Sequence, residues 1–189
     1  MPYVTVIMPV FNGGRYLAPA IRSMLNQTCA DFEFLIIDDA STDDTSGIVR
    51  SFGDSRIKLV RHEVNQGVAG SLNEGLSIAK GKYVARMDSD DVACKTRLAA
   101  QVTFMEAHPK VGVSGTWFRY FGAEPFIKIK SPTGAPCVRA CMLFDNPLYH
   151  PTVIIRKEVL EQHGLRYDPA FSRSEDFDLW QRASGLFDV

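Results

Sequence analysis

Residues 3–25, YVTVIMPVFNGGRYLAPAIRSML, run from an apolar, β-branched stretch through a tight turn into a stretch with helical period. Residues 3–10 read as a strand, FNGG at 11–14 as a turn, and Tyr16 to Leu25 as a helix with Leu17, Ile21, Met24 and Leu25 on one apolar face. Pro19 is expected in the first helical turn, where a missing N–H costs little. The same order then repeats. FEFLII at 32–37 is a second strand, and Ser41, Thr42 and Asp43 offer caps for a helix carrying Ile48, Val49 and Phe52. RIKLVRH at 56–62 is a third strand, followed by a helix through Leu72, Leu76 and Ala79 that the glycine of KGK at 80–82 is expected to end. YVARM at 83–87 is a fourth strand. Strict alternation of this kind predicts right-handed βαβ units and a doubly wound, Rossmann-like, mostly parallel α/β sheet.

Beyond it the pattern loosens. A helix is expected around Arg97 to Ala107, a strand at 111–118, an irregular aromatic and basic stretch at 119–130 and a helix at 138–144. A strand at 152–156, the short helix KEVLEQHG and a last helix opening at SEDFDLWQRA complete the reading. With no repeat, low-complexity tract or linker, residues 1–189 form one domain, its first half 1–91 regular and its second half 92–189 smaller and mixed. The chain stops soon after its last element begins, which suggests a domain truncated at its C-terminus.

The 189 residues carry a net charge of −1, which gives no support to a nucleic-acid or anionic-membrane binder. Cys29, Cys94, Cys137 and Cys141 form no CxxC pair, and the N-terminus lacks a signal-peptide layout, so reduced thiols in a cytoplasmic protein are expected. No window approaches the roughly 20 apolar residues needed to span a bilayer.

Ligands of open parallel sheets bind outside the carboxyl ends of the strands. Here those ends read FNGG, DDASTDD, NQG and DSDD, two of them strongly acidic. GxGxxG, a Walker A loop and GxSxG are all absent, and the spacing after Asp88 fails an EF-hand, with Ala93 at the glycine position and Ala99 at the glutamate. Asp88, Asp90 and Asp91 crowd carboxylates at a strand end, which suits either a solvated helix start or a divalent cation. If a diphosphate binds here, acids cannot hold it without Mg²⁺ or Mn²⁺ between them. Asp38 and Asp39 either cap the next helix or accept a base imide N–H. Glu175 and Asp176 are placed as helix-start acids.

Taken in order and spacing, VTVIMPVFNGGRYLAPAIRSMLNQT, FEFLIIDDASTDDT, NQGVAGSLNEGLSIAKGKYVARMDSDD and SEDFDLWQR resemble the family 2 glycosyltransferases of GT-A fold over nearly the whole chain. The resemblance implies an inverting, metal-dependent transferase of polysaccharide or cell-envelope glycan synthesis, using a nucleotide-sugar donor, UDP-sugar favoured. It places Asp39, with Asp38 beside it, at the nucleotide base, and Pro9, Phe11, Asn12, Asn65 and Gly67 in the nucleotide pocket. Asp88 and Asp90 match the DxD pattern, Asp88 nearer the ribose and Asp90 on the metal, with Asp88 as a second ligand. Asp176 matches the catalytic base. Residues 1–91 then become the nucleotide half and 92–189 the acceptor side. Lys95 departs from the family, which often has Pro there, and puts the start of the next helix in question. The implied acceptor is a glycan or lipid-linked glycan, compatible with peripheral contact at the inner membrane face, with no nucleic-acid partner and the oligomeric state open. His150 is expected as a hydrogen-bonded structural residue, the alternative being a place near that acceptor. Readings from other classes are a non-catalytic nucleotide-sugar binding domain and a metal-dependent nucleotidyltransferase.

Overall fold

The computed structural model describes residues 1–121, 128–171 and 173–189. Four parallel strands, β1 (Val4–Val10), β2 (Phe32–Asp38), β3 (Ile57–Arg61) and β4 (Tyr83–Arg86), alternate with α1 (Gly14–Leu25), α2 (Thr45–Ser51) and α3 (Gly67–Ile78). Then come α4 (Arg97–Ala107), the two-residue strands β5 (Val113–Ser114), β6 (Phe118–Arg119) and β7 (Lys128–Ile129), and α5 (Ala135–Cys141). A 3₁₀ turn (His150–Thr152) leads into β8 (Ile154–Arg156), α6 (Lys157–Gln162) and α7 (Glu175–Ser184). The main sheet has the order β3-β2-β1-β4-β8-β5, with β8 antiparallel to both of its neighbours, and β6 pairs with β7 as a separate hairpin. The parallel first half and mixed second half expected from the sequence are both present.

Every residue of β1 and β2 is buried, as expected for central strands covered on both faces. Val4, Val6, Met8 and Val10 face one layer with Leu17, Ile21, Val49, Leu98 and Met105, so α1, α2 and α4 lie there. Ile7, Leu35 and Ile37 face the other with Leu72, Leu76, Leu160 and Trp180, which places α3, α6 and α7 opposite. Pro9 fits inside β1 because β4 pairs with β1 only as far as Ile7, so its missing donor faces no ladder partner. No helix among the described residues is long and apolar enough to cross a membrane.

Several local expectations are corrected. The first helix starts at Gly14, so Pro19 lies in its second turn. That start is held from outside, by Thr45 Oγ1 accepting from Gly13 N–H at 3.0 Å and Asp43 Oδ2 accepting from Gly14 N–H at 3.1 Å. The cap position of α2 is Asp44, without a side-chain cap bond, rather than Ser41, Thr42 or Asp43. Gly81 does not end α3 as a left-handed cap, because the cap is Ala79 in extended conformation. Gly81 is instead required by proximity, since a Cβ there would meet Thr5 N at 2.4 Å. The strand expected at 111–118 is broken into β5 and β6, and the helix expected at 138–144 begins and ends three residues earlier. Residues 122–127 of the aromatic and basic stretch lie outside the described residues. The helix after Lys95 begins at Arg97, where it was expected.

Candidate functional site

The loops leaving β1, β2 and β3 are stitched to one another at the carboxyl edge of the sheet. Asn12 adopts φ +52°, a conformation asparagine tolerates, and its Oδ1 accepts the Thr42 N–H at 2.8 Å. Asn12 N–H donates in turn to Ser41 Oγ at 2.9 Å. Asn12 is thereby a brace between two loops, and Phe11 beside it leaves 52% of its surface exposed. Pro9 is buried one step below.

The two acids after β2 have different surroundings. Asp38 is fully buried; Oδ1 accepts from Ser41 N–H at 2.9 Å and Oδ2 from Ser46 Oγ at 2.7 Å, with Arg61 Nε 3.7 Å away. Burial works against its charge, but the Ser41 and Ser46 hydrogen bonds and Arg61 outweigh that and lower its pKa. Asp38 therefore shapes the loop from beneath. Asp39 is 4% exposed; its Oδ1 accepts from Gln66 N–H at 2.8 Å and contacts His62 Nδ1 at 2.6 Å, while Oδ2 accepts from Gly67 N–H at 2.9 Å. It thus caps α3 across 27 residues of sequence, not the helix that follows it directly. Asn65 donates to the Asp39 carbonyl at 3.1 Å, and Gly67 holds φ +76°, so both pocket residues expected after β3 do sit at Asp39. Of about four acceptor lobes on the carboxylate, three are used among the described residues, leaving one on Oδ2.

His62, whose role the sequence did not signal, is clamped between Asp39 and Glu74. Burial disfavours the charged ring, yet the hydrogen bonds to the two carboxylates raise its pKa. An open groove of about 710 Å³ lined by Ala40, Ser41, Thr42, Asp43, Arg61, His62 and Glu63 adjoins Asp39 through this histidine.

At the end of β4, buried Arg86 forms an ion pair with half-buried Asp88, while Arg86 Nε has no hydrogen-bond acceptor among the described residues. Arg97, fully inside, donates to the carbonyls of Arg86 at 2.7 Å and Val153 at 3.2 Å and so ties the acidic turn to β8. Burial, then the nearby Arg86 charge, lowers its pKa to about 10. Asp90 is exposed, and Asp91 has its pKa raised by burial and by Asp88 and Asp90. Carboxylates that repel one another are hard oxygen donors of the kind Mg²⁺ or Mn²⁺ accepts, and such an ion would relieve that crowding. No group of three or more such side chains among the described residues has ligand geometry by itself, so the ion would complete its shell with ligand oxygens or water.

Asp176 lies in the first turn of α7, half-buried. Its Oδ2 accepts from Asn146 Nδ2 at 2.8 Å and its Oδ1 from the Phe177 N–H at 2.8 Å. Asn146 was not singled out by any sequence feature. Beneath this acid, His150 Nε2 lies 3.0 Å from Tyr167 Oη and edge-on to Trp180, the structural placement expected for it. Burial and the neighbouring Arg86 charge push His150 well below the usual histidine range. Burial raises Tyr167, with Arg86 opposing and Asp176 adding, so one buried pair lies within electrostatic reach of both the β4 acidic turn and the α7 acid.

Residues 5–164 match the family model described as Glycosyl transferase family 2. An uncharacterised glycosyltransferase of Haemophilus influenzae is 32% identical over 98% of this chain, which spans 61% of that protein's length. The UDP-Glc:alpha-D-GlcNAc-diphosphoundecaprenol beta-1,3-glucosyltransferase WfaP of Escherichia coli is 40% identical over 95% of this chain and 69% of its own. Among solved structures, S. aureus TarS 1-349 in complex with UDP superposes with a TM-score of 0.81 and 26% identity, covering 97% of this chain and 55% of that one.

Proposed function

The chain belongs to glycosyl transferase family 2, and from that premise we propose a metal-dependent, inverting transfer of a sugar from a UDP-sugar to a hydroxyl of a glycan or lipid-linked glycan acceptor. Cell-envelope polysaccharide synthesis is the setting, and free thiols with a nucleotide-sugar donor accord with a cytoplasmic location. The observation that carries the proposal is the division of the acids into three separately held groups, Asp39 and Asp88 at strand ends and Asp176 on α7, with Asp176 and the Arg86 partner of Asp88 within electrostatic reach of one buried His150–Tyr167 pair. A UDP-bound TarS of the same fold and a WfaP relative named for UDP-glucose and a diphosphoundecaprenol acceptor support the donor and acceptor classes.

In this reading residues 1–91 serve the donor and 92–189 the acceptor. The free lobe of Asp39 Oδ2 takes one imide N–H of uracil, Phe11 offers a ring face for the base, and Asn12, Asn65 and Gly67 hold the loops around it. Asp38 acts from below, by fixing the turn that carries Asp39. Arg86 orients Asp88 toward the ribose side by charge. Asp90, with Asp88, would hold Mg²⁺ or Mn²⁺, which when bound offsets the negative charge gathering on the departing diphosphate.

The chain's own chemistry is a proton transfer at Asp176. Its carboxylate, turned by Asn146, takes the proton of the acceptor hydroxyl as that oxygen attacks the anomeric carbon. The bond from that carbon to the diphosphate oxygen breaks with its electron pair on UDP, and attack from the opposite face inverts the anomeric configuration.

The test is titration calorimetry of UDP and a panel of nucleotide sugars with Mn²⁺ and with chelator, alongside an assay for released UDP. Strong Mn²⁺-dependent binding of UDP and UDP release on adding acceptor are expected, and Asp90→Asn should mimic the chelator. Equal affinity under both conditions sinks the metal role, and release of inorganic pyrophosphate in place of UDP sinks the transferase reading.

A further inference from the structure

The second half of the chain presents an apolar, basic rim that the proposed transfer does not use. β6 and β7 form a hairpin of only two residue pairs, too short to be stable alone. It is anchored by Phe118, whose ring packs edge-on to Tyr149 at 4.6 Å. Among the described residues beside it, Trp117, Tyr120 and Phe121 are 44%, 59% and 56% exposed. Lys128 and Lys130, both exposed, bring their ammonium groups to 4.9 Å and 5.4 Å from the Trp117 ring centre. The turn after α5 comes within electrostatic reach of the same tyrosine, since Tyr149 is raised by burial and then by the nearby charges of Asp145 and Tyr120. That turn carries Leu143 and Phe144, 75% and 89% exposed. Large side chains so fully in water, clustered at one rim, mark a surface that something covers.

We propose that this rim docks the protein on an anionic lipid bilayer, with Trp117 and Phe144 entering the interface and Lys128 and Lys130 at the headgroups. Amphipathic aromatic rings with lysines beside them are the side chains that settle at a bilayer boundary, where the ring is half-buried and the ammonium meets lipid phosphate. Lysine stems lie along apolar surface while their charges reach the headgroups. A net charge of −1 over the whole chain hides this local pair, and Asp145 is the acid that borders it. A second copy fits less well, since a two-fold contact sets the same patch against itself and brings lysine against lysine. The docking surface stands without the transferase reading. Its use rests on that reading: Asn146, two residues after Phe144, holds Asp176, so a docked chain would meet a lipid-linked acceptor at its base.

The chain contains two tryptophans, and Trp180 is fully buried, so a change in emission on docking reports Trp117. Vesicles of phosphatidylcholine with about a third phosphatidylglycerol should shift the emission to the blue, and bromine-labelled lipid should quench it. Pure phosphatidylcholine should do neither. Trp117→Phe should abolish the shift while Trp180 emission shows the fold intact. Lys128→Gln with Lys130→Gln should weaken partitioning roughly thirtyfold, about fivefold for each charge near the surface. No partitioning onto anionic vesicles overturns the proposal, as does co-sedimentation without a Trp117 shift, which puts the contact elsewhere. Equal affinity for neutral vesicles removes the lysines' role and overturns it too, and a shift produced by raising protein concentration alone assigns the rim to a second copy.

Discussion

Replacing Asp39 with asparagine should separate two jobs that one carboxylate performs. Oδ1 meets His62 at 2.6 Å and the Gln66 N–H at 2.8 Å, and Oδ2 meets the Gly67 N–H at 2.9 Å. Asparagine offers one acceptor oxygen, so its amide must face a backbone N–H or the imidazole donor against donor. One bond is lost outright and the remaining two lose their charge. A hydrogen bond to a charged group contributes about 1.5–3 kcal/mol net and a neutral one about 0.5–1.5, so the variant should lose roughly 3–5 kcal/mol. At about 2–4 °C per kcal/mol for a chain of this size, Tm should fall by roughly 6–20 °C. The second job is read by adding UDP at about 100 times its dissociation constant, which should stabilise the wild type by about 2.7 kcal/mol. If the free lobe of Oδ2 receives the imide N–H, that increment should largely vanish in Asp39→Asn. Scanning calorimetry with and without UDP measures both. A melting point within about 2 °C of wild type refutes the clamp on α3; a lowered melting point with the UDP increment intact refutes the contact with the base.

Asp176→Asn, which keeps one of the two acceptor oxygens now met by Asn146 and the Phe177 N–H, should cost about one hydrogen bond of stability and keep donor affinity, yet lower transfer by ~10²-fold or more, measured at saturating donor and acceptor. Wild-type turnover in that variant ends the base assignment. His62 has its folded pKa raised above an unfolded value of about 6.5, so its contribution is complete below about pH 6.5 and is lost as pH rises through the higher folded value. Denaturation from pH 6 upward should show that loss in the wild type and a flatter profile in His62→Gln; parallel profiles would remove the histidine as its source.

The parallel half of the fold was legible because each of its cues is local: alternating or continuous apolar runs, a helical stripe, a polar turn. What escaped depended on partners far along the chain. Tyr16 read as the first helical residue because nothing nearby caps Gly13 and Gly14, whose N–H groups are met by Thr45 and Asp43 some thirty residues on. Gly81 looked like a helix terminator, but its reason is the Thr5 backbone across the sheet. The acids show the same division. Their positions at strand ends and a helix start could be read directly, whereas His62 for Asp39 and Asn146 for Asp176 are set by tertiary contact, and Arg86, only two residues from Asp88, is turned onto it by burial at the end of β4.

Burial then sorts acids that look alike in a sequence. Asp38 and Asp39 are adjacent and chemically identical, yet the first is fully enclosed and held within its own loop by Ser41 and Ser46, and the second, 4% exposed, reaches across to the start of α3. An enclosed carboxylate can act on a ligand only through what it positions, so Asp38 keeps a structural role, whereas Asp39 joins its clamp on α3 to the proposed contact with the base. The same reasoning applies at the β4 turn. Asp88, paired with buried Arg86, has little freedom to follow a ligand, whereas exposed Asp90 can turn toward a cation at small cost. Asp90 should therefore dominate metal affinity, and Arg86→Met should disturb donor placement through Asp88 while leaving the ion's binding to Asp90 largely in place.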